Sequence, residues 1–149
     1  MVKPEAIRKG LEILLVEDNP TDVLLHQEAL AHTAMRHRLH VVADGMEALA
    51  FLHHEGPYGD MPRPDLILLD LKLPKKNGYE VLAEVKTDVH LQTIPVVVLT
   101  TSQDAQDIRT AYTLHANCYI AKPENFQQLV ELMQTLEYFW YTVVTRPAC

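Results

Sequence analysis

Leu66-Ile67-Leu68-Leu69-Asp70 is the stretch on which the fold turns: four consecutive apolar residues that end in a carboxylate. An unbroken apolar run this short suits a strand covered on both faces, because a strand with one wet face alternates polar and apolar side chains. Val96-Val97-Val98-Leu99 repeats the pattern. Working outward from these two, the predicted strands are Glu12–Val16, Leu39–Ala43, Asp65–Leu69, Pro95–Leu99 and Cys118–Ala121. Helix-like segments separate them, and parallel pairing needs such crossovers. The chain reads as α/β, a doubly wound five-stranded parallel sheet of order 2-1-3-4-5, flavodoxin-like.

The crossovers carry their own signals. Asn19 is a good N-cap, Pro20 suits the first helical position and Asp22 favours the positive end of the helix dipole. Val23, Leu24, Leu30 and Ala31 are expected to face inward from this helix. After Asp44-Gly45 a second helix presents Ala48, Leu49 and Leu52, and Glu55 to Pro64 reads as a surface loop. Gly78 precedes a third helix with Val81, Leu82 and Val85 inward. A fourth runs from about Asp104 with Ile108, Ala111 and Tyr112 at helical spacing. Met35-Arg36-His37-Arg38 reads as a solvated basic turn.

The last helix follows Lys122-Pro123, with Phe126, Leu129, Val130, Met133, Leu136 and Trp140 as its inward stripe. Leu132, Tyr138, Phe139 and Tyr141 add apolar surface beyond that stripe. Phe126, Tyr138, Phe139, Trp140 and Tyr141 are therefore expected to form a protein-protein surface, with homodimerisation favoured over a tail folded back on its own core.

Composition bounds the rest. A chain of 149 residues suits a single domain, residues 1–149, with an aromatic-rich helix and tail from about 124 to 149. Hydrophobic residues at 48% and charged residues at 22% are typical of soluble globular proteins. With 20 acidic against 13 basic residues the net charge is -7, a sign that repels phosphate backbones and anionic lipid, so neither nucleic acid nor membrane is an expected partner. Two cysteines, Cys118 and Cys149, make no disulfide framework. Met1 to Gly10 lacks the apolar stretch of a signal peptide, and a cytoplasmic location is expected.

In open α/β sheets ligands bind beyond the carboxyl ends of the strands, here between strands 1 and 3. Strand 1 delivers Glu17 and Asp18 there, and strand 3 delivers Asp70. Three converging carboxylates repel unless a cation or proton intervenes, which points to a hard divalent ion, Mg2+, and so to phosphoryl chemistry. Strand 4 ends in Thr100-Thr101-Ser102, a source of hydroxyls and backbone N–H groups, and strand 5 ends in Lys122. A phosphoryl group on Asp70 would meet donors on its far side.

In order along the chain, Val16-Glu17-Asp18-Asn19-Pro20, Leu69-Asp70-Leu71-Lys72-Leu73-Pro74 with Gly78, Pro95 to Thr100, and Tyr119-Ile120-Ala121-Lys122-Pro123 together resemble the receiver domain of two-component response regulators. The resemblance spans nearly the whole chain. It implies Asp70 as phosphoacceptor, Asp18 as Mg2+ ligand with Glu17 acting mainly through water, the Lys72 carbonyl as a further ligand, and Thr100, Thr101 and Lys122 as groups at the phosphoryl site. It implies Tyr119 as a switch side chain that fills space vacated when the Thr100 hydroxyl moves toward Asp70, repacking the surface of helix 4, strand 5 and helix 5. It also implies a cis bond before Pro123. The long loop before Asp65, Leu99 to Ser102 and the aromatic carboxyl terminus are similar to stand-alone regulators that partner cyanobacterial phytochromes. Thr101 and Lys72 depart from the wider family, where a smaller residue and a neutral one are frequent.

The expected function is signal relay: a sensor histidine kinase of phytochrome type phosphorylates Asp70, and an unidentified downstream protein reads the altered surface. With no room for a DNA-binding effector after residue 141, output is expected through association. On this view the chain is no turnover enzyme, although it takes part in its own phosphoryl transfer and dephosphorylation. The competing enzyme is a small Mg2+-dependent phosphatase or phosphotransferase with Asp70 as nucleophile, which would want an Asp two positions later where Lys72 stands. A binding module with a vestigial site is the third possibility.

Overall fold

The computed structural model describes residues 10–147, so Cys149 and the outer ends of the expected domain lie outside it. Five strands, β1 (Leu11–Val16), β2 (His37–Val42), β3 (Leu66–Leu69), β4 (Val96–Thr100) and β5 (Cys118–Ala121), alternate with five helices. These are α1 (Pro20–Leu30), α2 (Gly45–Leu52), α3 (Gly78–Thr87), α4 (Ala105–Thr113) and α5 (Phe126–Tyr138). All strand pairs are parallel and the sheet order is β2-β1-β3-β4-β5.

Period-two alternation sorts the apolar strand residues onto two cores. Leu14, Val16, Val42, Ile67, Leu69, Val96 and Val98 pack with Ala48, Leu49, Leu52, Val81, Leu82, Val85 and Ala111 from α2, α3 and α4. Leu11, Ile13, Leu15, Leu66, Leu68, Val97 and Leu99 pack on the opposite face with Ala29 and Leu30 of α1 and Leu129, Val130, Met133 and Leu136 of α5. With both faces covered, β1, β3 and β4 are buried at every position, including Glu12 and Thr100, as the apolar runs Leu66–Leu69 and Val96–Leu99 predict for β3 and β4.

The predicted cap at Asn19 holds, and α3 has one that the sequence reading does not name. The Asn19 side chain accepts from the Thr21 and Asp22 N–H groups, while Asn77 and Glu80 form a capping box at the start of α3. The inward face of α1 is different from expectation. His26, Ala29 and Leu30 are buried, Val23 is half-buried, and Leu24, at 55% exposure, and Ala31 face solvent. The small Ala29 lets α5 approach, and the His26 ring satisfies one nitrogen within its own helix, Nδ1 lying 2.6 Å from the Asp22 carbonyl. Of the residues expected inward from α4 only Ala111 is buried; Tyr112 is exposed, its hydroxyl taking the N–H of Tyr119.

The basic segment 35–38 is no solvated turn, because His37 and Arg38 open β2. Arg38 donates to Glu12, and His37 Nδ1 lies 3.1 Å from Oε1 of the buried Glu137 on α5, which also accepts from the Thr33 hydroxyl. The aromatic cluster divides. Tyr141 is only 2% exposed and belongs to the α1/α5 core, so it is no surface residue; a π-helical turn, Phe139–Val143, carries its ring inward. Trp140 packs partly against that core, with its ring edge-on to Phe139. Tyr138, Phe139 and Phe126 stay exposed, although Phe126 has His32 against its ring. Arg146 closes the tail onto Asp65 at 3.2 Å.

Gly78, the first residue of α3, lies against the backbone that follows Asp70: a Cβ there would stand 2.4 Å from the Asp70 carbonyl oxygen and 2.5 Å from Leu71 Cα. Backbone cannot yield as a side-chain tip can, so Gly78→Ala should lower unfolding free energy by about 2 kcal/mol in urea titration. The hydrogen bond to Glu137 raises the His37 pKa against the opposing effect of burial. The pair therefore stabilises the fold fully below the ordinary histidine pKa and loses that contribution as pH rises through the higher folded value. His26, whose pKa burial lowers, works in the opposite sense. The difference in urea midpoint between wild type and His37→Gln should accordingly shrink as pH rises from the acid side of that window.

Candidate functional site

Parallel register brings the strand ends to one edge. Val16 pairs with Val42 on one side and Leu69 on the other, so Glu17 and Asp70 leave the sheet side by side. The Glu17 N–H still donates to the Val42 carbonyl at 3.0 Å and the Asp70 N–H to the Val16 carbonyl at 3.1 Å, which fixes where each side chain starts. Thr100 pairs with Ala121, so Lys122 follows directly, its N–H donating to the Thr100 carbonyl at 2.8 Å.

The side chains converge as the register requires. Carboxylate oxygens of Glu17, Asp18 and Asp70 lie within 4.8 Å of one another. Glu17 is buried at 2% exposure, Asp70 at 9%, and Asp18 is exposed. The Lys122 ammonium donates to Glu17 Oε1, to Asp22 Oδ2 at 3.1 Å and to Asp70 Oδ2 at 3.2 Å. The other oxygen of Asp70 accepts from the Lys72 N–H at 3.3 Å, and Glu17 Oε2 accepts from the Asn19 N–H.

Burial alone would lower the Lys122 pKa, but the hydrogen bond to Glu17 and the charges of Asp70 and Glu17 outweigh it and hold the ammonium above its ordinary range. Burial raises the Glu17 carboxyl, helped by the charge of Asp70 and opposed by Lys122. Three carboxylates, those of Glu17, Asp22 and Asp70, thus share the Lys122 ammonium, and a fourth, Asp18, stands beside Glu17 and Asp70. Such an excess of negative charge calls for a further cation. The donors fit a hard divalent ion: all are oxygens, and a modest contraction brings three of them within an octahedral shell roughly 4.2 Å across.

Thr100 is wholly buried, and its hydroxyl has no hydrogen-bond partner among the described residues. A buried hydroxyl so placed is ready to serve an acceptor that arrives later. Thr101, the next residue, is exposed, as is Lys72. Tyr119 is half-buried, and its hydroxyl donates to the Ser102 carbonyl at 2.9 Å. No peptide bond among the described residues is cis, so the bond before Pro123 is trans; Lys122 reaches inward because its carboxylate partners draw it there.

Asp22 and His26 escaped sequence reasoning. The helix dipole accounts for Asp22 on sequence grounds, yet Asp22 also starts a spacing signal inside α1, where residues four apart share a face. His26 continues that line by four more.

Comparison with known proteins agrees with this fold. The family model of the response regulator receiver domain matches residues 13–134. Response regulator Rcp1 of Synechocystis sp. is 51% identical over 136 residues, 91% of this chain and 92% of that protein. The crystal structure of the phosphorylated cyanobacterial phytochrome response regulator RcpA superposes with a TM-score of 0.89 at 52% identity, covering 94% of this chain and 100% of that one. The Mn2+-bound form of Rcp1 gives 0.85 at 50% identity, covering 93% and 99%. This chain belongs to the response regulator receiver domain family, whose members work in phosphorylation-dependent signalling.

Proposed function

We propose that Asp70 is the phosphoacceptor of a two-component relay fed by a phytochrome-type histidine kinase. The observation that carries this reading is one carboxylate, Asp70, set between an acid pair, Glu17 and Asp18, and a buried ammonium, Lys122, with the unpartnered hydroxyl of Thr100 at the end of the adjacent strand. An Asp70 oxygen attacks phosphorus as the P–N bond of the donor phosphohistidine breaks; a P–O bond forms, and the leaving imidazole nitrogen takes a proton from water. Lys122 and the Thr100 hydroxyl, with backbone N–H groups at Thr101, then hold the phosphoryl oxygens. Asp18, Asp70 and the Lys72 carbonyl would hold Mg2+, with Glu17 acting through water; the ion supplies the charge neutralisation that a dissociative phosphoryl transition state needs. The Mn2+-bound form of Rcp1 and the phosphorylated form of RcpA support both assignments.

The described residues act as one receiver unit in the cytoplasm, and the output is a protein-protein contact rather than catalytic turnover. Phosphorylation draws Thr100 toward Asp70, and the Tyr119 ring repacks the α4/β5/α5 surface for a downstream protein. The exposed Tyr138, Phe139 and Val143 beside Trp140 offer an apolar face for a second copy of the chain. The exposed Lys72 in place of a second aspartate counts against a phosphatase.

Incubation with Mg2+ and acetyl phosphate should add one phosphoryl mass to the intact protein, and Asp70→Asn should abolish the gain. Continuous hydrolysis of a simple phosphate ester, lost in Asp70→Asn, would instead establish the phosphatase. Sedimentation over a concentration series should show wild type associating more readily than Phe139→Ala, Trp140→Ala; indistinguishable monomers would remove the dimer.

A further inference from the structure

Resting on that reading, we propose that Asp22 is a positioning residue for phosphoryl transfer: with Glu17 it forms a two-carboxylate seat that holds the Lys122 ammonium against Asp70. An ammonium has three N–H bonds, and here each has a carboxylate acceptor. Two of the acceptors, Glu17 Oε1 and Asp22 Oδ2 at 3.1 Å, come from the end of β1 and the first turn of α1; the third is Asp70 Oδ2 at 3.2 Å. The Lys122 side chain is only 10% exposed, so water is a poor substitute for a lost carboxylate.

The start of α1 builds this seat. Asn19 serves both carboxylates: its N–H donates to Glu17 Oε2 at 3.2 Å, and its side chain accepts from the Asp22 N–H at 3.2 Å. The Asp22 carbonyl faces Nδ1 of the buried His26 ring at 2.6 Å, so the Asp22 backbone is tied on both sides and its carboxylate starts from a fixed point. The helix dipole favours an acid in this turn, but it does not require one that reaches Lys122. Lys122 has need of such a seat. It leaves β5 at one edge of the sheet, and β4 and β3 lie between it and β1. Its flexible four-carbon stem, held at Asp70 alone, would leave the ammonium many positions; two further fixed acceptors select one. A phosphoryl group on Asp70 takes the N–H now aimed at that carboxylate, while the bonds to Glu17 and Asp22 stay in place. Placement of this kind acts on the transition state, where charge spreads over the oxygens of the transferring group.

Two measurements read the seat. Acetyl phosphate labelling of the intact protein at saturating Mg2+ gives the maximal rate and the half-saturating donor concentration. NMR of nitrogen-labelled lysine gives the water exchange of the Lys122 ammonium protons, which is slow only where acceptors hold them; Lys122→Arg assigns the signal. Asp22→Ala removes the acceptor, and Asp22→Asn leaves a neutral oxygen in its place. Glu28→Gln, which removes one charge from an exposed position on the same helix, is the control for charge alone.

In Asp22→Ala the maximal rate should fall about ten-fold, with half-saturating acetyl phosphate within about two-fold of wild type, because placement is lost and donor binding is not. The Lys122 ammonium protons should exchange about five-fold faster in the same variant, since one of their three acceptors is gone. Asp22→Asn should fall between Asp22→Ala and wild type, and Glu28→Gln should match wild type throughout. An unchanged or faster rate in Asp22→Ala, unchanged exchange at Lys122, or equal slowing in Glu28→Gln would overturn the seat while leaving Asp70 as phosphoacceptor. A wild-type ammonium that exchanges too fast to give a signal would do the same. Wild type that takes no label at Asp70 would overturn both.

Discussion

One ammonium holds the functional edge of this sheet together. Lys122 sits among Glu17, Asp22 and Asp70, and without it two buried or nearly buried carboxylates would face each other across β1 and β3 with nothing between. Breaking a buried ion pair by removing one partner costs about 3–5 kcal/mol, since the remaining charge is stranded in a medium that solvates it poorly. The same arrangement leaves the crevice with an excess of negative charge, and that excess makes it receptive to a divalent cation. The lysine therefore keeps the acids close in the absence of an ion, within hydrogen-bond reach of Asp70.

That geometry depends on strand register more than on any loop. Glu17 and Asp70 are neighbours because Val16 pairs with Leu69, and Lys122 arrives beside Thr100 because Ala121 pairs with it. A slip of one residue would turn each of these side chains to the opposite face. Two apolar cores, one on each face, prevent the slip, since every strand residue from Ile13 to Val16 and from Leu66 to Leu69 is buried. Packing energy spent on an ordinary core thus also sets the positions of the reacting groups.

Most of this was legible in the sequence because it rests on short-range rules. Unbroken apolar runs located β3 and β4, Asn19-Pro20 located the start of α1, and acids at strand ends located the site. What escaped depends on contacts distant in sequence. Apolar character points to Val23, Leu24, Leu30 and Ala31 as the inward face of α1, yet His26 is buried because its ring bonds its own helix and Ala29 clears room for α5. Tyr141 was counted with the surface aromatics because straight helical periodicity places it there; a π-helical turn after Tyr138 rotates it into the core. Asp22 was given to the helix dipole, since its partner lies 100 residues away.

The unpartnered hydroxyl of Thr100 sets terms for whatever binds at this edge. A buried hydroxyl without a partner is a standing penalty of about 1–3 kcal/mol, which an acceptor placed within its reach would relieve. Shifting a two-state equilibrium from 1:99 to 99:1 takes about 5.5 kcal/mol. Hydrogen bonds to a charged group contribute roughly 1.5–3 kcal/mol each, so contacts from Thr100, Lys122 and one backbone N–H to a phosphoryl group can supply that sum. Relief of the Thr100 penalty adds to it, so the contacts that a phosphoryl group on Asp70 would make are large enough to reverse a two-state arrangement at this edge without disturbing the sheet beneath it.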